Sequence, residues 1–218
     1  MTSGSGTSGS GTLGSGRHRF TGAIAGVGSR SGVRVVVGSW QTSPLGAFAD
    51  VMLAEPDGTR VLLAPDGAVA DFVSSTYNFD RVEIGPVSVQ TEGSAGDVAW
   101  QVRAPGLALE FRAGRRAPLG WLLRLVPHRL ATSPAWARVT DPVARLVLRG
   151  VRTRGTAGAG RREYYGATDL HRVHDLHGSW QGTDLGDLAP VQPEPRFGFG
   201  STPEAPSVTS VVTTIDVA

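Results

Sequence analysis

Residues 97–114 read DVAWQVRAPGLALEFRAG. Val98, Trp100 and Val102 alternate with polar neighbours, and Leu107, Leu109 and Phe111 alternate again after Ala104-Pro105-Gly106. Successive side chains of a strand point to opposite faces, so each triplet lines one face and the Pro-Gly step turns the chain. The stretch predicts a β-hairpin half-buried on one side.

The same grammar continues upstream. VRVVVGSW (33–40) reads as a Val-rich strand, and GAFADVMLAEPDGTRVLLAP (46–65) as a second hairpin turning at Pro56-Asp57-Gly58. A second Pro-Asp-Gly, at 65–67, leads instead into a short helix, because Val69, Phe72 and Val73 recur at helical spacing. In RVEIGPVSVQ (81–90), Val82 and Ile84 alternate, then Val87 and Val89 alternate in the opposite phase. Gly85-Pro86 is expected to absorb that slip as a bulge or bend. Residues 1–16 are almost all Gly, Ser and Thr and predict a flexible tail that buries nothing.

Downstream the character changes. APLGWLLRLVPHRL, SPAWARV and DPVARLVLRG predict three short helices between 117 and 150, the last two opening on a capping Ser133 or Asp141 followed by Pro. Strands are expected again at VRTRG, REYYGA and HGSW, and the Val- and Thr-rich SVTSVVTTIDV (207–217) closes the series. These elements predict one α+β, β-rich domain over 17–218. Its mostly antiparallel, barrel-like sheet would carry the helical insert of about 117–150 over one end or side.

Composition bounds the chemistry. The chain has 218 residues, 40% of them apolar, with 30 Gly and no Cys. Disulfides and thiolate metal sites are thereby excluded. All 21 basic residues are Arg, so Schiff-base catalysis through a lysine amine and a P-loop lysine are excluded too. No apolar run reaches the ~18 residues of a membrane span, and no basic-then-apolar leader opens the chain, which makes cytoplasm the expected location. The net charge of +2 is unevenly spread: residues 101–172 hold 14 Arg against 4 acids, while the segments on either side are acidic. A basic middle reads either as an anion-binding face or as a surface neutralised by the acidic C-terminal part.

The versatile side chains cluster in GTAGAGRREYYGATDLHRVHDLH (155–177). Gly155, Gly158 and Gly160 are spaced GxxGxG, the reverse of the dinucleotide fingerprint, and a strand follows where that fingerprint needs a helix. The stretch therefore reads as a hairpin loop flanked by Arg152, Arg154, Arg161 and Arg162, whose guanidinium groups could hold an anion. His171, His174 and His177 do not converge on either a strand or a helix, so no metal is expected.

The leading expectation is non-enzymatic binding of a small, partly apolar anion in a barrel-type pocket. Arg152, Arg154, Arg161 and Arg162 would hold the charge, and Trp100, Trp121, Tyr164 and Tyr165 would supply apolar walls. One alternative is an enzyme of the same pocket using Glu163 or His171 in acid–base chemistry. Another is nucleic-acid or membrane-surface binding through the basic middle. The segment 115–130, in which Trp and Leu alternate with Arg115, Arg116, Arg124 and Arg129, reads as a basic amphipathic surface helix or as an ordinary core-facing one. Nucleic acid is disfavoured, since no stacking platform or helix-turn-helix pattern is present. No cofactor is expected, and the oligomeric state is left open.

Overall fold

The computed structural model describes residues 14–94, 96–132, 154–156, 162–198 and 202–217. Four strands open the chain as an antiparallel meander: β1 (Gly16–Ser29), β2 (Arg34–Thr42), β3 (Phe48–Ala54) and β4 (Arg60–Ala64). The Pro56-Asp57-Gly58 hairpin forms as its turn chemistry requires, with the Asp57 carboxylate accepting from the Thr59 N–H at 2.9 Å. Helix α1 (Gly67–Ser74) follows the second Pro-Asp-Gly. Asp66 caps it by accepting from the Val69 N–H at 2.9 Å, and Val69, Phe72 and Val73 are buried.

The helix carries the chain over to β5 (Arg81–Ile84), which pairs parallel with β4. A second meander follows: β6 (Ser88–Ser94), β7 (Asp97–Ala104) and β8 (Leu107–Arg116). The hairpin read from 97–114 is β7–β8, with Trp100 opposite Phe111 and Val102 opposite Leu109. Helices α2 (Pro118–Leu125) and α3 (His128–Ala131) come next. The remaining strands are β9 (Arg154–Thr156), β10 (Arg162–Trp180), β11 (Thr183–Asp184), β12 (Leu188–Ala189) and β13 (Ser207–Val217).

All these strands belong to one sheet, in the order β5-β4-β3-β2-β1-β13-β10-β8-β7-β6, with β9 and β11 on β10 and β12 on β1. Strands β13 and β10 join the two meanders side by side. The two strands at the ends of this order, β5 and β6, are neighbours in sequence, three residues apart. Of the bulge or bend expected from the phase slip, Gly85-Pro86 is the bend, and it lies between two strands and not inside one. The chain leaves one edge of the sheet there and starts the other, and the sheet must curl to bring the edges together. Trp180 Nε1, at the end of β10, donates to Glu55 Oε1 at 2.9 Å, and Arg81 donates to the same carboxylate at 3.0 Å. These bonds tie β10 to the β3–β4 turn and to β5 across the curl.

The inside of the curl is filled by side chains. Val27, Val37, Val51, Leu53, Val102, Leu109 and Leu176 are fully or almost fully buried there, and Trp100 stacks on Phe111 at 5.5 Å. The opposite face of β1–β4 packs a second core beneath α1, in which Phe20 stacks on Phe72 at 5.0 Å and meets Trp40 edge-on at 5.8 Å. Asp50 of β3 is buried on this side, 4% exposed, and its Oδ1 accepts from Trp40 Nε1 at 3.0 Å. Burial pushes the Asp50 carboxyl up to about 6, against the opposing pull of the indole N–H.

The helical insert is borne out for its first part: PLGWLLRL and HRLA are helical. The helices expected from SPAWARV and DPVARLVLRG lie outside the described residues. REYYGA and HGSW are not two strands. They are the ends of β10, which runs unbroken for 19 residues. Two register shifts against β8 and one against β13 let it follow the curl.

Candidate basic and apolar surface at helix α2

Helix α2 begins where β8 ends. Pro118 at its first position fixes φ and costs no hydrogen bond, and the preceding Ala117 N–H donates to Leu170 O of β10 at 2.9 Å. One turn later stands Gly120. A Cβ there would lie 2.4 Å from Leu170 O and 2.7 Å from Arg116 Cγ, so only glycine lets the helix lie flat on the backbone of β10. The closest contact is thus made by small residues, Ala117 and Gly120, both buried, and Leu119 and Leu123 are half-buried. Other large apolar residues are left outside. Trp121 is 60% exposed, Leu122 62%, Leu125 79%, and Leu130 of α3 is 44% exposed. An ordinary surface helix buries its large apolar residues; α2 half-buries Leu119 and Leu123 but leaves Trp121, Leu122 and Leu125 exposed.

A charged cluster holds the helix in this pose. Arg116 grips Asp169 of β10 with two hydrogen bonds, Nε to Oδ1 at 2.7 Å and Nη2 to Oδ2 at 2.9 Å. Arg124 of α2 approaches the same carboxylate at 3.6 Å. The Arg116 guanidinium also lies 4.6 Å from the centre of the Trp121 ring, a cation–π contact that fixes the indole outward. His171 completes the group, with Nδ1 2.9 Å from Gly114 O and Nε2 3.4 Å from Asp169 Oδ2. Burial by itself pushes the Asp169 carboxyl up, but hydrogen bonds from Arg116 and the Leu170 N–H, and the charge of His171, outweigh it. The carboxyl is held below the usual range. Both ring nitrogens of His171 face oxygen atoms of this anchor.

The other residues proposed from sequence fall in several places. Arg152 and Arg161 lie outside the described residues. Arg154 pairs with Tyr164, and Arg162 with Thr156, in the β9–β10 ladder; Glu163 stands opposite Gly155. The strands on either side of the Gly-rich stretch therefore pair antiparallel, as a hairpin requires. Tyr164 is buried, and the neighbouring Tyr165 points to the other face of β10, where its hydroxyl hydrogen-bonds that of Tyr77. Trp100 belongs to the core inside the curl. The structure does not bring Trp100, Trp121, Tyr164 and Tyr165 together into one wall. It does bring Trp121 and His171 together, through Arg116 and Asp169. Sequence reasoning named Arg116 as a flanking charge, but it could not pair it with Asp169, 53 residues away.

The three histidines of β10 face separate carboxylates. His171 meets Asp169 at 3.4 Å, His174 meets Asp97 at 3.9 Å and His177 meets Asp175 at 3.2 Å. At the Trp180 end of β10 there is an open hollow of about 420 Å³, lined in part by His177, Ser179, Asp184 and Asp187. Its carboxylates are engaged: Asp184 accepts from the Gly186 N–H at 2.8 Å, and Asp187 pairs with Arg30 at 3.1 Å. An acidic hollow of this kind repels the anion that the basic middle would attract.

Among the described residues, no helix is long and apolar enough to cross a membrane. Comparison with known proteins adds no relative: no family model, no curated protein and no solved structure matches this chain.

Proposed function

We propose that this protein is a non-enzymatic binding module for a partly apolar anion, and that the ligand is taken by the outer face of α2. The observation that carries this reading is the exposed apolar side of the helix. Ala117 and Gly120 face the sheet, while Trp121, Leu122 and Leu125 are exposed; Arg124 of the same helix and Arg129 of α3 are exposed too. Exposing several large apolar side chains together is unfavourable for a monomer, and such patches mark interaction sites. The flanking guanidinium groups select for negative charge. The inside of the curl serves this role less well, because Val, Leu and aromatic side chains fill it.

The test is calorimetric titration with dodecyl phosphate below its micelle concentration, alongside inorganic phosphate and dodecyl maltoside. The expected result is saturable binding of dodecyl phosphate alone, weakened when Leu122 and Leu125 are both replaced by Ser. No binding of dodecyl phosphate, or binding that the double substitution leaves unchanged, would remove this reading.

A further inference from the structure

The structure points to the source of that ligand: we infer that the α2–α3 face docks on the surface of a bilayer carrying anionic headgroups. This rests on the reading of α2 as an apolar-anion site and names what the site meets. Three observations carry it. First, the exposed apolar residues are not confined to one turn. Trp121, Leu122 and Leu125 of α2 are exposed, and so is Leu130 of the helix that follows, α3. Such a spread suits a fluid apolar layer better than it suits one small molecule.

Second, the segment that bears these side chains carries charge of one sign, and the Asp169 carboxylate beneath it is already engaged by Arg116 and Arg124. Residues 111–132 include Arg112, Arg115, Arg116, Arg124 and Arg129 and contain no Asp or Glu. Arg112 pairs with Asp97, and Arg116 is committed to Asp169; Arg115 and Arg129 carry no ion pair among the described residues. Exposed Arg beside outward Leu and Trp is the composition of helices that lie in a membrane interface, where basic side chains meet anionic headgroups. Third, Trp121 is held outward before any ligand arrives, by the Arg116 guanidinium 4.6 Å from its ring. An indole has an apolar body and one N–H, which places it at headgroup depth.

The test is flotation of the full-length protein with phosphatidylcholine vesicles, with and without phosphatidylglycerol. Binding is expected only to the anionic vesicles and should weaken as salt is raised. Replacing both Leu122 and Leu125 by Ser should lower it by about tenfold or more. Replacing Arg129 by Gln should lower it about fivefold and flatten the salt dependence. These side chains are exposed, and unchanged thermal melts would verify that the variants fold. If dodecyl phosphate binds in solution but anionic vesicles do not, bilayer docking is overturned while the small-anion reading stands. If neither binds, both fall. Equal binding to neutral vesicles, or binding that none of the substitutions alters, also overturns the inference.

Discussion

Replacing Asp50 by Asn isolates the effect of one buried charge. In the folded protein the Asp50 carboxyl is fully enclosed in the core beneath α1 and titrates at about 6, whereas its ordinary value is 3.8. Between those two pH values the folded state keeps a proton that the unfolded state has released. Stability therefore falls as pH rises through this window, and the loss is complete above it. At ~1.36 kcal/mol for each pH unit, the displacement amounts to about 3 kcal/mol. Asn keeps a carbonyl for the Trp40 N–H, bonded in the native protein at 3.0 Å, but it cannot ionise. The stability of Asp50→Asn relative to the native protein should thus grow by about 3 kcal/mol between about pH 3.5 and about pH 7.5. Urea denaturation followed by circular dichroism at several pH values measures it. Comparing the two proteins at each pH cancels the carboxylates whose values are lowered, such as Asp80, Asp97 and Asp169, which act in the opposite direction. A difference that stays constant across this range would refute the claim that Asp50 is a desolvated acid.

Two further substitutions probe how α2 is held. Gly120→Ala should gain ~1 kcal/mol of helix propensity yet lose more to the contact with Leu170 O, leaving the protein about 1–2 kcal/mol less stable; a higher urea midpoint would show that α2 does not lie on β10 as described. Asp169→Asn should cost about 1–3 kcal/mol near neutral pH, because Arg116 and Arg124 lose the carboxylate they share. The Asp169 carboxyl is lowered in the fold, so its stabilisation is present above the ordinary value of 3.8 and is lost as pH falls through the lower folded value. The gap between native and variant melting temperatures should narrow in strong acid; a gap that widens there would contradict the pairing.

Where the side chains of a strand alternate strictly and a turn residue follows, sequence was enough. Val98, Trp100 and Val102 against Leu107, Leu109 and Phe111 specified the β7–β8 hairpin and its turn, while the pairing of Trp100 with Phe111 came from the structure. The two Pro-Asp-Gly turns were also legible, because a hairpin and a capped helix draw on local chemistry alone. Strand β1 was not read, although it lies in the middle of the sheet. Its Gly22, Ala23, Ala25, Gly26 and Gly28 are small for a reason visible only in three dimensions: a Cβ at Gly28 would lie 2.1 Å from Pro190 O, and one at Gly26 would lie 2.4 Å from Thr202 Oγ1. Small residues leave no hydrophobic alternation to detect.

The candidate site divides in the same way. Composition by itself established the all-Arg basic middle, the absence of thiol and lysine chemistry, and the presence of Trp and Leu among the arginines of 115–130. It left open which side of that helix faces the protein, because a period of 3.6 records that two faces differ and not which one is covered. Tertiary structure decided it through contacts far apart in the chain. The backbone of Leu170 admits nothing larger than glycine at 120, and Asp169 draws Arg116 inward, so Gly120 lies against the sheet and Trp121, Leu122 and Leu125 stay exposed. The break at Gly85-Pro86 has the same cause. Local alternation registers a change of phase, but only the closing of the curl shows that the two phases belong to opposite edges of one sheet.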